Sequence, residues 1–194
     1  MKKIYTTFSI IFLAILLAAC GNSDKKTNAP PRIVVDVGEN MEKVNKFLSE
    51  KDKDRIEAFL HRHNLQATFD ETGFWIAQIE KGNGEKVENN ILVALTCKIS
   101  LLDGTPCYQY DEENPLIFIV NKSNELLTDA TTQNVVSGLH SALLLMEKGE
   151  RAVLIFPPHL AHGIIGDGNN IPPRSILVYD VKVLNIENEK YENK

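Results

Sequence analysis

The clearest pattern of apolar and polar positions lies between Val135 and Ile186. Apolar residues at steps of three and four predict an amphipathic helix over Asn134–Glu147. β-Branched residues at Arg151–Phe156 and Ile176–Leu184 predict two strands. The segment between these strands is rich in proline and glycine, which predicts a long, rigid loop. The inward face of the predicted helix is formed by Val136, Leu139, Leu143 and Met146.

Earlier segments also alternate as strands do. Phe74–Ile79, Asn90–Leu102 and Pro115–Val120 carry the β-forming residues, and Asp103-Gly104 fits a two-residue hairpin loop. Trp75, the only tryptophan, is interpreted as a sheet-packing residue rather than a functional one.

A further helix is expected before the strands, near Ser49–His63. Ser49 followed by Asp52 resembles a capping box, and an apolar stripe follows at Ile56, Phe59 and Leu60. We favour packing of this helix on its own domain. The alternative is a helix that binds a partner or a second copy.

The N-terminus has the pattern of a targeting segment. Lys2 and Lys3 precede an apolar run, Ile10–Ala19, that is shorter than the ~20 residues needed to span a bilayer. Leu17-Ala18-Ala19-Cys20 resembles a bacterial lipobox, in which Cys20 becomes the lipidated first residue. The alternative is an ordinary signal peptide that happens to end in cysteine.

Length and composition favour one domain with extensions. The 194 residues, 43% of them hydrophobic, divide into a signal peptide (1–19), a lipidated Cys20 with a flexible tether (20–40), a helical lead-in (41–70) and a folded domain (71–190). Removing residues 1–19 takes two of the 21 basic residues and leaves 19 against 26 acidic ones, a formal charge of −7. This charge argues against nucleic acid as a partner.

Four motifs in the C-terminal half resemble the FKBP-type peptidyl-prolyl cis-trans isomerases. They occur in the order and with the spacing of that family, and the resemblance covers about Gly73–Asn188. The motifs are Val135-Val136-x-Gly138, Met146-x-x-Gly149-Glu150-Arg151, Ile155-x-Pro157-Pro158-x-x-Ala161-x-Gly163 and Ile171-Pro172-Pro173-x-x-x-Leu177-Val178-Tyr179-Asp180-Val181.

The resemblance implies an α+β fold, with a bent antiparallel sheet wrapped around one helix and the N-terminal helical segment as an addition. It implies an isomerase that needs no cofactor and acts on proline-containing polypeptides. The lipobox, tether and helical lead-in together resemble the lipoprotein FKBPs of Bacteroidetes, some of them associated with gliding motility. We therefore expect a protein anchored by lipid in the cell envelope, facing the periplasm or the surface.

The resemblance also assigns the site. His162, in the place of a family tyrosine, and Tyr179, in the place of a phenylalanine, are the catalytic candidates. The expected substrate-binding residues are Val135, Val136, Leu139, Ile171, Tyr108 and Leu116. Core packing is the simpler interpretation of Val135, Val136, Leu139 and Ile171, and a solvent-exposed loop residue without a role is that of His162.

This sequence departs from the family pattern at the pocket wall. Cys97, Cys107 and Leu116 replace aromatic residues, and Tyr108 stands where an aspartate is usual. If Asp103-Gly104 is the hairpin loop, Ser100 pairs with Cys107 and leaves Cys97 roughly 10 Å away, too far for a disulfide. Two buried free thiols are therefore favoured over a disulfide, which would need a bulge.

Two other function classes fit parts of the sequence. His159, His162 and Asp167 offer ligands for zinc, although their spacing is weak evidence. A non-catalytic binding module or holdase chaperone would use the same groove without efficient turnover, and the missing aromatic residues favour it.

Overall fold

Residues 37–120 and 135–187 are described by the computed structural model of this protein. The chain divides into two units, Met1–Gly38 and Glu39–Lys194. Only Val37 and Gly38 of the first unit are described, so the predicted signal peptide and most of the tether lie outside the described residues.

The second unit combines helices with one antiparallel sheet, as expected for the α+β class. Its elements, in chain order, are α1 (Val37–Arg62), β1 (Thr68–Phe69), β2 (Trp75–Glu80), β3 (Leu92–Leu101), β4 (Pro106–Tyr110), β5 (Leu116–Ile119), α2 (Ser137–Leu143), β6 (Arg151–Phe156) and β7 (Leu177–Glu187).

The sheet has seven strands in the order β1-β2-β6-β7-β3-β4, and β5 also pairs with β3. All pairings are antiparallel. The predicted α+β fold is confirmed. The loop 157–176 joins the two central strands β6 and β7 and is called the flap below; it includes a short 3-10 helix at Pro158–Leu160.

Successive side chains of β6 belong to two hydrophobic cores that lie on opposite faces of the sheet. Ala152, Leu154 and Phe156 belong to the cluster that contains α2, whereas Ile155 belongs to the cluster that contains α1. This follows from the two-residue period of a strand, which sends successive side chains to opposite faces. The sheet is therefore covered by one helix on each face.

Helix α1 packs on its own domain, which confirms the favoured interpretation. Ile56 and Phe59 are buried with Trp75 on the outer face of the sheet. Each such buried side chain contributes ~1.5–3 kcal/mol. Trp75 is a packing residue, as expected.

The predicted start of this helix was wrong. Helix α1 begins at Val37, and Ser49 lies inside it. Asp52 caps nothing, because its side chain is buried and accepts a hydrogen bond from Arg174 in the flap. Ser49 and Asp52 thus resemble a capping box in sequence only, and Asp52 instead makes a tertiary contact with Arg174.

Helix α2 is shorter than predicted at both ends. Val136 is extended and Leu144 ends the helix. The amides of Leu145 and Met146 donate to carbonyls only three residues back, and the Met146 carbonyl accepts from Val87. The last predicted turn is therefore replaced by tighter turns, after which Glu147 forms a β-bridge with Lys86.

Gly138 allows α2 to lie very close to β6. A Cβ at this position would lie 2.5 Å from Cδ1 of Phe156 and 3.0 Å from the Leu160 carbonyl oxygen. Both distances are too short for a side chain. The separation of helix and sheet therefore depends on this glycine.

The predicted register of the β3–β4 hairpin is confirmed except at Ser100, the pair nearest the loop. Cys97 lies opposite Tyr110 and Ile99 opposite Tyr108, but a bulge places Pro106 instead of Cys107 opposite Ser100. Both cysteines are free, as predicted, but only Cys97 is buried, because Cys107 next to the bulge is partly exposed.

Candidate functional site

The residues assigned from sequence to substrate contact lie together. Five are buried in the cluster between the sheet and α2, and two more pack against it while partly exposed. The buried ones are Val136, Leu139, Leu116, Ile171 and Tyr179, and the partly exposed ones are Val135 and Tyr108. They come from β4, β5, α2, the flap and β7, and all of them belong to or pack against the larger hydrophobic core of the domain.

Helix α2 supplies the innermost part of this group. Val136 is its N-cap, with φ −87° and ψ 160°, and no side chain caps its first turn. Leu139 follows on the inward face and has no exposed surface. This burial fits core packing as well as a floor residue, so the role of Leu139 stays a prediction.

Tyr179 lies in the centre of β7 and is fully buried. Its ring meets that of Phe156 edge to face, with centroids 5.1 Å apart. Burial raises the pKa of its phenol well above the ordinary value. The hydroxyl therefore stays protonated and is able to donate a hydrogen bond.

Asp167 organises the flap. One carboxylate oxygen accepts from the backbone N–H groups of Asn169 (2.9 Å) and Ile171 (2.8 Å), and the other accepts from the Tyr108 hydroxyl. Burial acts to raise the pKa of Asp167, but these hydrogen bonds outweigh it and the net direction is downward. The hydrogen bond to Asp167 in turn raises the pKa of Tyr108. Tyr108 therefore joins β4 to the flap beside Ile171.

His162 is the one predicted site residue with an unsatisfied polar atom. Its Nε2 is buried and has no hydrogen-bond partner within the described parts of the chain. Burial lowers the pKa of the imidazole, and the charge of Asp167 opposes this only in part. A neutral ring with an unpaired nitrogen is equipped to exchange a hydrogen bond with a ligand.

The described residues do not form an arrangement that suits a metal ion. Within residues 37–120 and 135–187, no three His, Cys, Asp or Glu side chains come together as metal ligands. Asp167 uses its oxygens on the flap backbone and Tyr108.

The two cysteines of the pocket wall are not activated nucleophiles. Cys97 is completely buried, and burial raises the pKa of its thiol far above the ordinary range. Burial also raises the pKa of Cys107, which is partly exposed. Both thiols stay protonated near neutral pH, whereas nucleophilic attack requires a thiolate.

Two features of the flap escaped the sequence reasoning. Ile164 and Ile165 are 81% and 78% exposed, in a turn between two left-handed glycines, Gly163 and Gly166. The glycines on either side of this pair are the feature of the sequence that could have predicted an exposed turn. The second feature is the Arg174–Asp52 ion pair, which joins residues 122 positions apart and has no local signature.

Comparison with known proteins shows the same resemblance over the second unit. A family model described as FKBP-type peptidyl-prolyl cis-trans isomerase matches residues 83–184. The curated protein named FKBP-type peptidyl-prolyl cis-trans isomerase FkpA, from Escherichia coli K12, is 29% identical over 138 residues, which are 71% of this chain and 46% of that protein. The chain thus spans about half the length of the curated relatives it matches first.

Solved structures agree in fold. The crystal structure of FkpA from Escherichia coli superposes with a TM-score of 0.55 at 25% identity, covering 76% of this chain and 64% of that one. A peptidyl-prolyl cis-trans isomerase from Pseudomonas syringae gives a TM-score of 0.55 at 23% identity, covering 70% and 92%.

Removing the Tyr108 hydroxyl tests the organisation of the flap. We expect Tyr108→Phe to lower the free energy of unfolding by about 1 kcal/mol at pH 7, because a hydrogen bond to an ionised carboxylate is lost. The folded state lowers the pKa of Asp167, so this contribution is present above the ordinary carboxyl pKa of ~3.9 and is lost as the pH falls through the lower, folded-state value. Urea unfolding across this pH range measures it.

A double-mutant cycle with Asp167→Asn isolates the pair. A Tyr108→Phe deficit that is the same at acidic and neutral pH, or additive with Asp167→Asn, contradicts the coupling.

Proposed function

The chain belongs to the FKBP-type peptidyl-prolyl cis-trans isomerase family, and on this premise we propose that it catalyses rotation about X-Pro bonds in polypeptides. One observation carries the proposal. Five residues that the family pattern assigns to the proline-ring site, from four separate elements, lie in a single buried apolar cluster.

The chemistry requires shape rather than a reactive group. Rotation of the X-Pro amide crosses a barrier of ~18–20 kcal/mol, and the twisted amide has lost its resonance. An apolar site that fits the twisted form better than the planar one lowers this barrier. No nucleophile, metal or cofactor takes part.

The two candidate catalytic groups suit this task because they are neutral, while the charged Asp167 is already paired with the flap backbone and Tyr108. The phenol of Tyr179 and the imidazole of His162 are uncharged near pH 7, for the reasons given above. In the proposed site Leu139 is the floor, and Ile171 closes the wall from the flap. Val135, Val136, Leu116 and Tyr108 complete the wall, and Tyr179 lies behind it. His162 donates a hydrogen bond to the substrate carbonyl in the tautomer that has its proton on Nε2.

We further propose that turnover is slower than in family members with an aromatic wall. Cys97, Cys107 and Leu116 present less apolar surface to a proline ring than aromatic side chains do. Tyr108 does not replace this surface freely, because its hydroxyl is committed to Asp167.

Two substitutions test the proposed mechanism. We expect Leu139→Arg to abolish isomerisation of a short X-Pro peptide, because a charge in the apolar floor costs several kcal/mol. His162→Ala should lower kcat/KM by about tenfold at most, since a neutral hydrogen bond contributes ~0.5–1.5 kcal/mol. NMR exchange spectroscopy measures both rates.

Folding is checked by circular dichroism before the rates are compared. If Leu139→Arg does not fold, Val135→Arg places the charge at the partly exposed edge of the same cluster. A complete loss of activity in His162→Ala with no loss in the folded arginine variants contradicts a shape-based mechanism.

A second candidate function is a holdase chaperone, and the exposed Ile164 and Ile165 favour it. A loop tip usually carries small or polar residues, and contiguous exposed apolar surface marks interaction sites. In this candidate, the turn holds apolar segments of unfolded clients with or without proline.

The two functions separate in one comparison. If the chain is a holdase, Ile164→Thr/Ile165→Thr should lose the ability to suppress aggregation of diluted, denatured citrate synthase, measured by light scattering, and should keep its rate on a short X-Pro peptide. Ile79→Thr, an exposed isoleucine on β2, is the matched control. If wild type, the double variant and Ile79→Thr suppress aggregation equally, the holdase function is contradicted.

We also propose that lipid on Cys20 anchors the protein in the cell envelope, where proline-containing envelope proteins are its clients. The support is the sequence: a short apolar run, the Leu17-Ala18-Ala19-Cys20 motif and a polar tether. Two or more acyl chains give stable attachment where one does not. Among the helices that the structure describes, none has the length and apolarity to cross a bilayer. The type of lipoprotein FKBP found in Bacteroidetes has this organisation.

Cys20→Ser tests the anchor. The variant should appear in the soluble fraction, because lipidation requires the thiol, and wild type should carry acyl mass on the peptide that begins at Cys20. Unmodified wild type by mass spectrometry, or a variant that still sediments with membranes, contradicts this localisation.

A further inference from the structure

Arg174 connects the flap to α1 through its side chain. Its Nη2 donates to Oδ2 of Asp52 at 2.6 Å and to the Leu48 carbonyl at 3.3 Å. Asp52 is only 7% exposed, which is unusual for a carboxylate unless it is paired. The flap is therefore joined to a helix more than a hundred residues away in sequence.

The backbone of the same residue closes the flap on itself. The Arg174 amide donates to the Gly163 carbonyl at 3.0 Å, so the outgoing arm is bonded to the incoming one. Arg174 adopts a left-handed backbone with φ +58°, which residues other than glycine, asparagine and aspartate rarely do. Such a conformation persists only where the surroundings hold it. The contacts around Arg174 are the ion pair with Asp52 and the bond of its amide to Gly163.

Both arms carry residues of the proposed site. His162 precedes Gly163, and Ile171 lies three residues before Arg174. The Ile171 amide is itself held by Asp167. A displacement of Arg174 would therefore affect both Ile171 in the wall of the proposed site and His162, its hydrogen-bond donor.

We propose that α1 positions the flap for substrate binding, and that Asp52 and Arg174 are positioning residues of the isomerase site. This inference rests on the proposed function for its kinetic consequence. Helix α1 lies outside the segment 83–184 that the family model matches, so the family domain is completed here by a helix of its own lead-in.

The Asp52–Arg174 pair differs from the other ion pairs of α1. Lys53 and Glu57 lie 3.7 Å apart with side chains 60% and 55% exposed, and such pairs contribute little. Arg55 reaches Asp52 only at 3.8 Å and is largely exposed. The Asp52–Arg174 contact is shorter and better shielded, with side chains 10% and 31% exposed, so losing either charge costs more here than at an exposed pair.

Asp52→Asn is the principal test, with Glu57→Gln as the matched control on the same helix. We expect Asp52→Asn to raise KM for a short X-Pro peptide about tenfold with kcat within about twofold, because the positioned flap contributes to substrate binding. The amides of Arg174 and Ile171 should exchange with deuterium faster, while amides of the central β6–β7 pairing keep their wild-type rates. Glu57→Gln should match wild type in each measurement.

Two further variants keep the test informative. Asp52→Glu retains the charge and should recover most of the lost affinity. Arg174→Gly removes the guanidinium but accepts the left-handed backbone without strain, so it separates the ion pair from the backbone requirement. It should resemble Asp52→Asn, and it replaces that variant if Asp52→Asn does not fold.

Unchanged flap exchange and KM in folded Asp52→Asn, with only a lower melting temperature, overturn the proposal and leave α1 as a stabilising helix. If wild type shows no isomerisation, the proposed function fails. The exchange measurements still decide whether α1 positions the flap.

Discussion

The structure depends on the antiparallel pairing of β6 with β7. Leu154 lies opposite Tyr179 and Ile155 opposite Val178, so each pair of neighbours sends its side chains to one face of the sheet. A slip of one residue would exchange the faces and place the α1 contacts where the α2 contacts belong. The loop that joins these two strands is the flap, and the same pairing therefore fixes both ends of the segment that bounds the candidate site.

Much of this arrangement was readable from sequence because it is local. Alternation along Arg151–Phe156 and the apolar steps through Leu139 and Leu143 gave the central strands and the inward face of α2. The family resemblance added the assignment of Ile171 and Tyr179, which no periodicity distinguishes from core residues. The structure places these residues together, while their roles in binding stay predictions.

The errors share a physical cause, which is tertiary contact. Helix α2 ends early because the chain tightens into three-residue turns at Leu145 and Met146 and Glu147 forms a β-bridge with Lys86. Helix α1 begins well before Ser49 and Asp52, which only resemble a cap. Asp52 was misinterpreted for the same reason, since its partner lies 122 positions away. The exposed turn at Ile164 was overlooked because two adjacent isoleucines in sequence suggest burial, and only the flanking positive-φ glycines place them at a tip.

Gly138 bears on how this site is able to change in evolution. Because any side chain there would collide with Phe156, the distance from α2 to the sheet is set by backbone and is closed to gradual drift. The next residue, Leu139, is buried in the cluster, and its size is limited by packing against side chains rather than by the approach of the backbone. Apolar residues of other sizes at position 139 would change the volume offered to a ligand at a packing cost, whereas position 138 accepts glycine alone, so neighbouring codons differ in how much variation they tolerate.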